Sequence, residues 1–252
     1  MANENDTQPK QLDCFRNMQP GEIVAFTFQI FQQHLIVLVM VTLVPELLLL
    51  GAELLLHEVL MEPPVGLPLL LGMTVIANGV ALSAIATVVA GAVLGGAPTI
   101  GQTYQLVFRN RVWAVLIGYF ITALATSAGL MMFVFPGLIL GGALALTVPV
   151  VVIEGRSAFQ GIQRSTLLVR GEMGKAVTVF AFVVLVSGML PLLFQLTIGI
   201  GTLTPVLGAL LTSVTMPLGY SASIILYFSL RSAKENYTAA MLESDLNQRL
   251  GQ

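Results

Sequence analysis

Apolar residues run uninterrupted over distances that only membrane-crossing helices need. No Asp, Glu, Lys, Arg or His occurs in residues 63–108, 112–153 or 176–230, stretches of 46, 42 and 55 residues. A spanning helix takes about 20 predominantly apolar residues to cross roughly 30 Å of hydrocarbon. The second and third stretches each hold two such helices, divided by the turn signals Phe135-Pro136-Gly137 and Gly201-Thr202-Leu203-Thr204-Pro205. The first holds one span, closed by Gly95-Gly96-Ala97-Pro98, and its partner lies upstream from His34. The pattern predicts six spans, at 34–56, 67–93, 112–133, 137–153, 175–198 and 205–230. Continuous apolar runs select helices over barrel strands, which alternate with period two over about ten residues.

Three linkers carry a different pattern. In Thr99–Asn110, Ile100, Tyr104, Val107 and Phe108 recur at helical spacing, with Gln102, Thr103, Gln105 and Arg109 on the other side. In Arg156–Arg170, Phe159, Ile162, Thr166 and Val169 form the stripe; Gly21–Gln33 is similar in length and more apolar. Such segments suit helices lying in the headgroup plane, or equally the ends of tilted spans. The predicted fold is an all-α integral membrane protein of six transmembrane helices arranged as three hairpins, each preceded by a short interfacial amphipathic helix. Gly21, Gly101 and Gly161 occupy comparable places in the three units. A single membrane domain covers 21–233, between polar tails at 1–20 and 234–252. Small residues such as Gly79, Ser83, Gly91 and Gly95, and Gly137, Gly141, Gly142 and Ala145, permit close helix approach.

Composition agrees: 56 % of the 252 residues are hydrophobic and 10 % charged, against roughly 25 % charged in soluble domains. The mean hydropathy is +0.89. All eleven Lys and Arg residues fall in the tails and in the loops after spans two and four. Loops rich in these residues stay cytoplasmic, so both termini are expected on the cytoplasmic side, which requires an even number of spans. Trp113, Tyr119 and Tyr227 fall near the span boundaries. The first twenty residues are polar and lack the apolar core of a signal peptide. The only cysteine, Cys14, can form no internal disulfide.

Charged groups inside a membrane are candidate functional groups, because insertion costs about 2.5–3.5 kcal/mol each. Glu46 falls near the middle of span one, with Glu53 and His57 following on the same helical face. Pro45 leaves the Val41 carbonyl without its helical donor, and Asn78 and Thr74 of span two are the expected facing partners. Two readings stand: a proton-linked, cation or headgroup site, or a protonated Glu46 hydrogen-bonded to Asn78 or a hydroxyl. Pro149, Pro191 and Pro217 interrupt later spans as kinks or hinges. At the basic face, Arg156, Arg164, Arg170, Lys175, Arg109 and Arg111 are candidate lipid-phosphate contacts, with orientation by positive charge plus local salt bridges as the competing reading.

No Walker, Rossmann, HExxH or GxSxG pattern occurs. The two histidines, His34 and His57, sit at opposite ends of one span, so no metal or other cofactor is expected. A net charge of -2 offers no nucleic-acid footprint.

The run from Phe135-Pro136-Gly137 to Ile153-Glu154-Gly155, followed by Arg164-Ser165 and Arg170-Gly171, resembles the membrane-domain family of glycerophosphodiester phosphodiesterases and related YciC-type bacterial inner-membrane proteins. Gly21-Glu22-Ile23 and Leu230-Arg231 to Lys234-Glu235 are similar to the same group. The resemblance implies a multi-span inner-membrane protein; the phosphodiesterase barrel itself has no room in this chain. The expectation is a non-enzymatic protein acting through membrane lipids, or as a scaffold for other membrane proteins or for its own copies. The alternative is a small proton- or cation-coupled transporter using the Glu46 face.

Overall fold

The computed structural model describes residues 14–62, 64–109, 112–198 and 203–250, with the side chains of 248–250 excepted. Among the described residues all regular elements are helical. In chain order they are α1 (Pro20–Gln33), α2 (Leu35–Leu55), α3 (His57–Leu60), α4 (Gly66–Val93), α5 (Ile100–Arg109), α6 (Val112–Met132) and α7 (Val134–Leu144). There follow α8 (Thr147–Glu154), α9 (Ala158–Val169), α10 (Met173–Val183), a π-helical turn (Val184–Met189), α11 (Leu190–Ile198), α12 (Thr204–Glu235) and α13 (Ala239–Leu250). Six helical runs are long and apolar enough to cross a membrane: α2, α4, α6, α7–α8, α10–α11 and α12. Each overlaps one of the six expected spans.

The last span is the core of the bundle. Helix α12 packs against α1, α2, α4 and the α10–α11 run. Of its most apolar window, 67 % lies buried inside the protein, against 22 % for α2 and 17 % for α10–α11. Small residues permit this centrality: Gly208, Ala209, Ser213, Gly219, Ser221 and Ala222 are buried along α12. A methyl group at Gly219 would land on the Ser187 hydroxyl of the π-helical turn. Between α7 and α10, a Cβ on Gly142 would sit 3.1 Å from the Val177 backbone. Close backbone approach substitutes here for the hydrophobic drive that lipid removes.

Proline leaves a carbonyl without its N–H donor four residues on, and neighbouring hydroxyls fill two of these vacancies. The Tyr104 hydroxyl of α5 donates to the Val41 carbonyl, freed by Pro45, at 2.7 Å. Thr42 Oγ1 donates to the Ser213 carbonyl, freed by Pro217, at 2.7 Å. The break between α7 and α8 is held similarly by Ser165 of α9. Its Oγ accepts from the Leu146 N–H at 3.2 Å and donates to the Ala143 carbonyl at 2.7 Å.

Helices α1, α5 and α9 fall where the three linkers predict short helices, and each opens on a reciprocal cap. Glu22 accepts from the Gln19 N–H at 2.8 Å, Gln102 from Thr99 at 3.0 Å, and Gln160 from Ser157 at 3.2 Å. In the last two the cap hydroxyl also accepts from the N3 amide, satisfying a second orphan donor. These i,i+3 pairs are common to the three short helices. Gly21 and Gly101 share the second position after the cap, whereas Gly161 lies four after it.

The segments read as polar tails pack on the bundle. Cys14 and Met18 are buried, and the Met18 N–H donates to Ser229 Oγ at 2.8 Å. Beyond α12, Tyr237 and the α13 residue Leu242 are buried in the core. A few apolar anchors in polar sequence hold both segments, a signal too sparse for periodicity to register.

Candidate functional site

Most basic side chains at the charged end of the bundle are bound to acids. Glu154 closes α8, where Gly155 takes the left-handed backbone (φ 66°) that lets the chain turn into α9. Its carboxylate, 7 % exposed, lies 2.6 Å from Arg156 Nε and 3.2 Å from Arg164 Nε, and accepts from the Tyr227 hydroxyl at 3.2 Å. Glu235 bridges Arg164 at 2.5 Å and Arg231 at 3.1 Å. Arg231 lies 3.6 Å from Asp245 of α13 and covers the Tyr237 ring at 3.5 Å. Burial opposes the charge on Arg164, but Glu235 and Glu154 outweigh it and hold its pKa above the ordinary arginine value. Three arginines and three carboxylates thus form a neutral clasp joining α8, α9, α12 and α13.

The six candidate phosphate contacts therefore separate. Arg156 and Arg164 belong to the clasp. Lys175 is buried, 2.5 Å from Asn17 Oδ1 and 3.4 Å from Glu172. Arg111 lies outside the described residues. Arg109 and Arg170 are exposed, and among the described residues neither guanidinium meets a carboxylate.

At the opposite end, a crevice of about 340 Å³ lies between α2, α11 and α12. Glu46 and Glu53 line one wall, and Gln195, Thr204, Gly208 and Thr212 the other. From Glu53 to Glu46 it descends about 10 Å at the helical rise. Neither carboxylate has a hydrogen-bond or ion-pair partner among the described residues. Two of the candidate residues stand apart from the crevice. Helix α2 ends at Leu55, and His57 stands exposed at the start of α3, as the reading in which it is wet at the outer interface has it. Asn78 does not line the crevice and donates to the Thr74 carbonyl of its own helix at 2.9 Å. Gln195, absent from the sequence candidates, takes its place. It is the sole Gln or Asn between 176 and 230, and that isolation was the available signal.

A second cavity, about 220 Å³, lies within the bundle between α4, α6, α8, α10 and α12. Its walls are mostly apolar, with hydroxyls from Tyr119, Thr122, Thr126, Tyr220 and Ser223. No cluster of metal-ligating side chains occurs among the described residues. No family model, curated protein or solved structure matches the chain.

Proposed function

We propose that this chain is a non-enzymatic, multi-pass inner-membrane protein that works through lipid contact. Its three hairpins would each follow an interfacial helix, with both termini cytoplasmic. The observation that carries the reading is the division of basic groups: the clasp neutralises its own arginines, while Arg109 and Arg170, at the ends of α5 and α9, remain exposed and without acids among the described residues. A guanidinium there suits bidentate binding of lipid phosphate. The topology-setting residues between Phe135 and Gly171, similar to those of YciC-type proteins, agree with this placement.

The test is native mass spectrometry of the full chain extracted with phosphatidylglycerol. Arg109→Gln/Arg170→Gln is expected to lose most retained anionic lipid, and Arg156→Gln to lose none. Equal retention by all three proteins overturns the reading.

The crevice favours a second reading, a small proton- or cation-coupled carrier. Two unpartnered carboxylates on a descending wall argue against a solid scaffold. In proteoliposomes, Glu46→Gln would then abolish cation-dependent flux; absence of flux in the unaltered protein sinks this alternative.

A further inference from the structure

Hydroxyls in the spans normally return to their own helix. Thr74, Ser83, Thr87, Ser213 and Ser221 each donate to the carbonyl four residues earlier, at 2.6–2.9 Å. Around the 220 Å³ internal cavity this habit stops. The Thr122 and Thr126 hydroxyls have no partner among the described residues, although Thr126 is only 8 % exposed. Ser223, 3 % exposed, lines the cavity without a hydrogen bond among the described residues, as do the Tyr119 and Tyr220 hydroxyls. Pro149 removes the donor for the Ala145 carbonyl, and both residues line the same wall. The carbonyls freed by Pro45 and Pro217 are filled by neighbouring hydroxyls; no side chain fills this one among the described residues.

Unmade hydrogen bonds on buried groups are costly, so donors and acceptors converging on a roomy cavity point to an occupant. No lining residue carries a charge, and a charged headgroup at this depth would lack a counter-ion. The apolar remainder of the wall fits hydrocarbon. Ser127, also on the wall, is exposed, so the edge of the cavity reaches the surface of α6. We propose that this cavity receives the glycerol-ester end of a neutral, hydroxyl-bearing lipid of the diacylglycerol class, whose acyl chains, too large for about 220 Å³, stay outside it. The lipid's carbonyls would accept from Tyr119, Tyr220 and Ser223, and its hydroxyl would donate to Ala145. The site rests on the membrane reading above but not on the phosphate contacts at Arg109 and Arg170.

The test uses the full chain in phospholipid nanodiscs with two photoreactive probes, a diazirine-bearing diacylglycerol and the matching phosphatidylglycerol. The expected result is saturable diacylglycerol cross-linking to Tyr119–Ser127 and Tyr220–Ile224, competed by unlabelled diacylglycerol. Tyr220→Phe/Ser223→Ala should weaken it about tenfold, and Ala123→Phe, which fills the cavity, should remove it. Competition on the unaltered protein keeps the test decisive if a variant misfolds. Non-saturable labelling shared equally with the exposed Met131–Phe135 surface overturns the site. So does hydroxyl-radical oxidation of Tyr119 and Tyr220 that the lipid does not suppress, which marks a water-filled chamber. Loss of phosphatidylglycerol labelling near Arg109 and Arg170, with diacylglycerol labelling intact, would strike the phosphate reading alone.

Discussion

Removing one hydroxyl tests whether α5 is fastened into the bundle through a carbonyl that proline sets free. Tyr104→Phe keeps the ring, and its stacked contact with Phe108 at 6.4 Å, and deletes only the donor 2.7 Å from the Val41 carbonyl. Burial pushes the Tyr104 phenol up to about 12, so the proton is present at any working pH. A net hydrogen bond contributes about 0.5–1.5 kcal/mol, and a buried carbonyl left bare costs about 1–3 kcal/mol. Interhelical bonds in membranes average about 0.6 kcal/mol with a maximum near 1.7. Together these place the cost of Tyr104→Phe at about 1–2 kcal/mol. In a Pro45→Ala background the residue-45 amide supplies the missing helical bond, so the same substitution should cost much less. The assay is a double-mutant cycle on reversible unfolding in detergent micelles, with a coupling of about 1 kcal/mol expected. An equal cost of Tyr104→Phe in both backgrounds refutes the reasoning.

Three further outcomes follow from the packing and charge. Glu154→Gln takes the most buried carboxylate from the clasp but leaves Glu235 on Arg164 and Arg231, and should cost about 1–3 kcal/mol, whereas Arg156→Gln, at a pair whose arginine is 43 % exposed, should cost under about 1 kcal/mol; detergent melts compare the two directly. Gly142→Val places a Cβ 3.1 Å from the Val177 backbone, with two methyls beyond it, and should destabilise by about 1–3 kcal/mol in the same melts. Burial lowers the His34 pKa at the junction of α1 and α2, so the unfolded chain takes up its proton first as pH falls. Stability should therefore decline below about pH 6.5 until the folded value is passed, and His34→Gln should flatten that decline in a pH series of melts.

Span positions were legible because length and continuity of apolar sequence encode them: 67–93 is found at 66–93, and 112–133 at 112–132. The facing of each span was not. Where lipid and protein interior are both apolar, hydrophobicity does not distinguish the two sides of a helix, so Asn78 and Gln195 could not be ranked as neighbours of Glu46. Small residues carry part of that information, as at Gly142 and Gly219, but they do not name a partner. The break at Ala145–Leu146 was legible from Pro149, whereas Ser165, the residue that satisfies it, was not, because it lies on another element. The caps at Gln19, Thr99 and Ser157 were readable from residue types three apart, Gln19/Glu22, Thr99/Gln102 and Ser157/Gln160.

The position of α12 bears on the order of assembly. Five of the six spans leave the ribosome before the helix against which several of them pack, and until it arrives pairs such as α2 with α4, α4 with α6 and α7 with α10 lack that common partner. Completion of the six-span bundle is thereby tied to the synthesis of α12. Chains arrested before residue 204 would present vacant packing faces to lipid and to membrane proteases, which gives quality control a simple means of sorting finished molecules from unfinished ones.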